Sequence, residues 1–98
     1  MRHSIENNTL TMYLEGRITS GNAEDFSNAM GALVVETQPT SVVLDLSDLE
    51  FISSAGLRAI MRLDKVSREV SVVGASPEVY GVFDMTGFTQ VVDVRKTR

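Results

Sequence analysis

The spacing of apolar and polar residues changes several times along the chain, and each change marks an element. Leu10, Met12 and Leu14 alternate with Thr11, Tyr13 and Glu15. That period of two belongs to a strand with one buried face. Asn7-Asn8, between two short runs, is a turn signal and predicts a hairpin. Gly16 is expected to end the second strand. Ala23, Phe26, Met30 and Leu33 then keep helical spacing, with Glu24 and Asp25 early, where a helix dipole favours negative charge. A helix is predicted over residues 22–36. Gly31 weakens it by ~1 kcal/mol relative to alanine, and Pro39 punctuates its exit.

"SVVLDL" and "EVSVVGA" are short, nearly continuous β-branched and apolar runs. Such runs read as buried central strands, often parallel ones. Between them, "SSAGLRAIMRL" predicts a helix over residues 54–66. "SPEVYGVFDMTG" carries a helix signature at both ends: Ser76 to cap, Pro77 for the first turn, Gly87 for the stop. That helix is predicted over 77–86, and "TQVVDV" reads as a last strand. The order is β-β-α-β-α-β-α-β, an α/β fold with a mixed, mostly parallel sheet and helices packed on it. Leu44, Ile60, Val73 and Phe83 are the predicted core, with Met12, Met30 and Met61 on apolar faces.

Composition narrows the function. A chain of 98 residues without repeats or a Pro/Gly/Ser-rich linker is read as a single domain, 1–98. Cysteine is absent, which removes disulfides, thiolate metal sites and cysteine nucleophiles. A net charge of -4 argues against a generic phosphate-backbone binder. The apolar runs are far shorter than the ~20 residues a membrane span needs, and "MRHSIENNTL" has no apolar signal core. A cytoplasmic protein that binds no nucleic acid and inserts in no membrane is expected.

Catalytic constellations are missing. The one histidine, His3, sits close to the N-terminus, which disfavours a Ser-His-Asp triad. Walker and dinucleotide-binding glycine patterns are absent. Asp45, Asp48 and Glu50 form an acidic cluster expected in a solvated loop after a strand; hard cations usually need more convergent oxygens. Tyr13 and Tyr80 are too scattered for a stacking platform. No enzyme activity, cofactor or metal is expected.

"FISSAGLRAIMRL" is the informative stretch. One serine at a helix start accepts a hydrogen bond from an unpaired backbone N–H, worth ~1 kcal/mol. Two adjacent serines leave one hydroxyl over. A phosphate there would sit at the positive end of the helix dipole. Ala55 and Gly56 are small and are expected to leave the approach open. Arg58 lies four residues beyond Ser54, on the same helix face, with Arg62 and Lys65 beyond it. This basic stripe is either an ordinary solvated face or part of a docking surface.

Three segments together resemble the STAS domain, in particular the anti-sigma factor antagonists. They are "YLEGRITSGNAEDF", "VVLDLSDLEFISSAGLRAIM" and "GASPEVYGVFDMTGFTQVVDV", and their order and spacing cover essentially the whole chain. The family's loop typically reads Asp-Ser-Ser/Thr-Gly, with the serine after the aspartate phosphorylated. Matching Phe51 and Leu57 puts Ser53 at the aspartate position, Ser54 at the phosphoserine, Ala55 at the second hydroxyl and Gly56 at the glycine. Ser54 is therefore the expected phosphorylation site, with Ser53 as runner-up. The expected partner surface is Thr19, Ser20, Gly21, Ser53, Ser54, Ala55, Gly56 and Arg58.

The resemblance implies partner switching. The unphosphorylated protein would bind an anti-sigma factor that is also a serine kinase, with a histidine-kinase-like ATP fold, and free its sigma factor. Phosphorylation would weaken the complex, and a PP2C-type phosphatase would reset it. The same fold also serves as a constitutive subunit of other assemblies, such as a lipid-transport ATPase complex or a stress-signalling scaffold, and as a switch on non-sigma targets. Retention of a serine at position 54 favours the switch.

Overall fold

The structure is a computed structural model that describes residues 1–66, 69–87 and 93–96, the side chains of 64–66 and 93–96 excepted. The chain runs β1 (His3–Glu6), β2 (Thr9–Ile18), α1 (Ala23–Thr37), β3 (Ser41–Ile52), α2 (Ser54–Val66), β4 (Val70–Ala75), α3 (Pro77–Met85) and β5 (Asp93–Lys96). The five strands stand in chain order across one sheet. β1 pairs antiparallel with β2, and the remaining pairs are parallel. Asn7 and Asn8, at φ 51° and 63°, make the hairpin turn that their side chains tolerate. The three helices match their predicted spans to within a residue or two. Part of the predicted last strand, residues 89–92, lies outside the described residues.

Every parallel crossover steps the same way across the sheet, and right-handed crossovers of that kind deliver all helices to one face. Burial agrees. Leu10, Met12, Leu14, Val42, Leu44, Leu46, Val70 and Val72 point into the core with Ile60, Leu63, Val79 and Phe83. Alternate residues on the other face, Thr11, Tyr13, Val43, Asp45, Ser71 and Val73, are only half-buried. This corrects the expected core: Leu44, Ile60 and Phe83 belong to it, whereas Val73 faces away and Val72 takes its place. A continuous β-branched run cannot show by itself which of its faces is covered.

β3 is the least regular strand and the one that shapes the functional end. Its pairing with β2 slips between Tyr13 and Glu15 and again between Gly16 and Arg17. Each slip gives β3 one residue more than β2, as a β-bulge does. The bulges change the inward phase, so that Leu46, Leu49 and Ile52 are buried three residues apart. Strict alternation from Leu46 would have sent Asp48 and Glu50 into the core. The acidic cluster therefore lies within a strand and not in the expected loop. Asp45 Oδ1 accepts from the Ser47 N–H at 2.9 Å and the Ser47 hydroxyl at 2.6 Å. Asp48 pairs with Arg2 at 3.7 Å. Gly16, at φ +80°, sits inside β2 at a slip, and the strand continues to Ile18. Gly74 of β4, at φ +72°, is opposite the Asp45–Ser47 kink, where a Cβ would collide with the Ser47 hydroxyl.

Candidate functional site

The bulged pairing ends with Arg17 beside Phe51 and Ile18 beside Ile52. The Ser53 N–H then donates to the Ile18 carbonyl at 2.9 Å. Two chain exits are thereby fixed side by side at the carboxyl ends of adjacent parallel strands. One exit is the 19–22 loop leading to α1; the other is Ser53, leading to α2.

Asn22 holds the first exit. Its Oδ1 accepts from the Thr19 N–H at 2.8 Å, and its Nδ2 donates to the Arg17 carbonyl at 2.9 Å. Thr19 Oγ1 accepts from the Gly21 N–H at 3.2 Å. Asn22 precedes α1, yet its side chain gives that helix no cap bond, because it is committed to the loop. Ser20 and Gly21 are left exposed at the tip.

The second exit separates the two serines. Ser53 is half-buried, and its Oγ accepts the Gly56 N–H at 3.2 Å. That is an N-cap bond to the third residue of the helix. Ser54 is exposed, and among the described residues its hydroxyl has no hydrogen-bond partner. Serine and aspartate are comparable caps. Ser53 at the family's aspartate position thus keeps the cap and removes the charge. The first turn of α2 holds no acidic side chain.

Gly56 is not part of an open approach. It is buried, and a Cβ there would lie 2.7 Å from Ile52 Cγ1 and 2.8 Å from Ile18 Cγ2. Its smallness lets the helix start press against the ends of β2 and β3. Ala55 is half-buried and Arg58 exposed. Ser20, Ala23, Glu24, Ala55, Arg58 and Arg62 line a shallow depression of about 280 Å³ between the starts of α1 and α2. The structure therefore brings Ser20 to Ala55 and Arg58, and Thr19 to Ser53, while Gly56 turns inward. Arg62 also reaches Ser27 of α1 at 3.5 Å. The Lys65 side chain lies outside the described residues.

Two surface residues escaped the sequence reading. Met61 is 41% exposed and shares the outer face of α2 with Ser54, Arg58 and Arg62. Counting three and four residues on from Ser54 and Arg58 would have put it there. Phe51 is 39% exposed, with the Arg17 guanidinium 4.7 Å from its ring centroid. Its orientation depends on the second bulge of β3, for which the sequence gives no clear signal.

A mixed sheet with helices on one face, closed at its carboxyl end by a serine-capped helix start, defines a small α/β domain. The chain belongs to the STAS domain family, whose model matches residues 2–98. It is 36% identical over 89 residues to BtrV of Bordetella bronchiseptica, a candidate anti-sigma factor antagonist, covering 87% of this chain and 76% of BtrV. An anti-sigma factor antagonist from Mycobacterium paratuberculosis superposes with a TM-score of 0.88 at 23% identity, over 98% of this chain and 84% of that one. The anti-sigma factor antagonist SpoIIAA in its unphosphorylated form gives a TM-score of 0.71 at 13% identity, over 99% and 87%. The Bacillus SpoIIAA in its phosphorylated form gives 0.62 at 18%, over 95% and 90%. At these identities the solved structures establish the shared fold.

Proposed function

We propose that this STAS domain is an anti-sigma factor antagonist working as a phosphorylation-controlled partner switch. Unphosphorylated, it docks on an anti-sigma factor that is also a serine kinase with a histidine-kinase-like ATP fold, and the sigma factor is released. The docking surface is the rim made by Thr19, Ser20 and Gly21, the start of α2 around Ser53 and Ser54, and Arg58. The kinase phosphorylates Ser54, the complex dissociates, and a PP2C-type phosphatase restores the hydroxyl. In this scheme the domain is a substrate in the cytoplasm and catalyses nothing itself.

One observation carries the reading: the division of labour between the serines. Ser53 commits its hydroxyl to the cap, at 3.2 Å from the Gly56 nitrogen. Ser54 is exposed one residue later, and among the described residues its hydroxyl holds no hydrogen bond that a phosphate would disturb. The kinship to BtrV and the SpoIIAA structures in two phosphorylation states support the same reading. A phosphate adds nearly two negative charges and three oxygens at the centre of the rim, where a docked partner would have to desolvate them.

Incubation with the cognate kinase and ATP tests this. One phosphate is expected, on Ser54. Ser54→Ala should abolish labelling and still bind the kinase, and Ser54→Asp should bind weakly. Labelling that survives in Ser54→Ala and disappears in Ser53→Ala would move the site by one residue. Equal affinity of Ser54→Asp and wild type, with no kinase labelling either serine, would leave a constitutive binding module.

A further inference from the structure

We infer that Phe51 and Arg17 form a second contact patch for the same partner, on the sheet face opposite the helices. This rests on the partner-switch reading. A single exposed phenylalanine is ordinary on a protein surface. Here its exposure results from a specific backbone device. Leu49 points inward, so regular alternation would also send Phe51 inward. The second slip of β3 instead turns Phe51 out and Ile52 in. Bulges near functional sites re-aim side chains in this way. Arg17, its register partner on β2, lies over the ring at 4.7 Å. Phenylalanine and arginine are both enriched in the cores of protein interfaces.

The patch is mechanically continuous with the serine rim. Arg17 and Phe51 each precede one member of the Ile18–Ile52 pair, after which come Thr19 and Ser53. Asn22 bonds the Arg17 carbonyl and the Thr19 N–H together, so loop and patch hold one geometry. Charge names the occupant. Arg17 and Arg58 flank the serine exit, and among the described residues neither forms an ion pair. The chain as a whole carries -4. Exposed Glu15, Glu24 and Glu50 share this end, so a partner carboxylate is favoured at the two guanidiniums and disfavoured around them, which restricts where it can sit. The partner surface should therefore place an apolar side chain on Phe51 and a carboxylate within reach of Arg17, while its other edge meets Ser54.

The test measures affinity and melting temperature with each purified anti-sigma factor kinase of the same genome. Wild type is compared with Phe51→Ala, Arg17→Glu, Arg58→Glu and Ser54→Asp. Phe51→Ala and Arg17→Glu should each weaken binding at least about tenfold, the usual scale for an interface anchor, with an unchanged melting temperature. The double variant should lose little more than the worse single one, because ring and guanidinium act together. Phe51→Gln is the substitute if the alanine variant melts early. Wild-type affinity in the Phe51 and Arg17 variants, with Arg58→Glu and Ser54→Asp still weakened, would overturn the patch and leave the switch standing. Failure of wild type to bind any such kinase would overturn both.

Discussion

Two helices of this domain begin in nearly the same way and serve different ends. α3 opens on Ser76, whose Oγ accepts the Val79 N–H at 3.2 Å. α2 opens on Ser53, whose Oγ accepts the Gly56 N–H at 3.2 Å. The residues after the two caps differ. In α3 they are Pro77, which suits the first helical position, and Glu78, which sets a negative charge on the positive end of the dipole. In α2 they are Ser54 and Ala55, and no acid occupies the first turn. One helix start is complete. The other keeps an unfilled positive end and an exposed hydroxyl. The cap is the structural constant, and the unfilled first turn makes the site.

The contrast breaks most visibly under phosphorylation. A phosphate on Ser54 should lower partner affinity by about 3–4 kcal/mol, roughly a hundred- to a thousandfold. Phosphosite mapping should find it on Ser54 and leave Ser76 unlabelled, although both serines open helices. Labelling of Ser76 at a comparable rate would mean that the kinase reads helix starts in general, and the distinction between the two would fail.

Glycine substitution should split the helices next, in stability. At Gly56 a new methyl group meets Ile18 and Ile52 at under 3 Å, so both isoleucines must move. Overpacking of this sort costs ~1–3 kcal/mol, only partly offset by a helix-propensity gain of ~1 kcal/mol. At Gly81 in α3 nothing lies within 4 Å of the added atom, and only the propensity gain remains. Urea unfolding should show Gly56→Ala destabilised and Gly81→Ala stabilised. The same sign for both would show that the α2 start is not pressed onto the strand ends.

Much of this was legible in the sequence, and the exceptions share a cause. Helix spans, the Asn7-Asn8 turn and the alternation of Leu10, Met12 and Leu14 come from local preference, which a short window contains. The serine pair was legible as one cap and one spare hydroxyl. Val73, Met61 and Gly56 were misjudged because each depends on what lies across from it: an open sheet face, an outer helix face, two isoleucines. Phe51 and the acidic residues of β3 were missed for a stronger reason. Their orientation is set by two bulges, and a bulge is a property of two strands in register, not of either alone.

Cap removal comes third and should erase the difference between the helices. Ser53→Ala and Ser76→Ala each delete one side-chain bond of the same length, so each should cost ~1 kcal/mol. Ser54→Ala deletes no such bond and should change stability by only a few tenths of that cost. Thermal melts in which Ser54→Ala loses as much as Ser53→Ala would show that Ser54 is the cap in solution.

The smallest expected effect is the most diagnostic of why Ser53 stands where the family has aspartate. Ser53→Asp should retain the cap, because a carboxylate oxygen can accept the Gly56 N–H as the hydroxyl does. It should also add a favourable charge–dipole interaction of ~0.3–1 kcal/mol, giving α2 the negative charge that Glu78 gives α3. Stability should therefore rise slightly, and the gain should shrink in high salt. The same carboxylate would sit beside the Ser54 hydroxyl and repel an incoming phosphoryl group, so the phosphorylated form should gain less stability from the change than the unphosphorylated form. Chemical denaturation of both forms reads this difference directly. Equal gains in the two would mean that the charges at positions 53 and 54 do not interact, and the unfilled first turn would then owe its character to Ser54 alone.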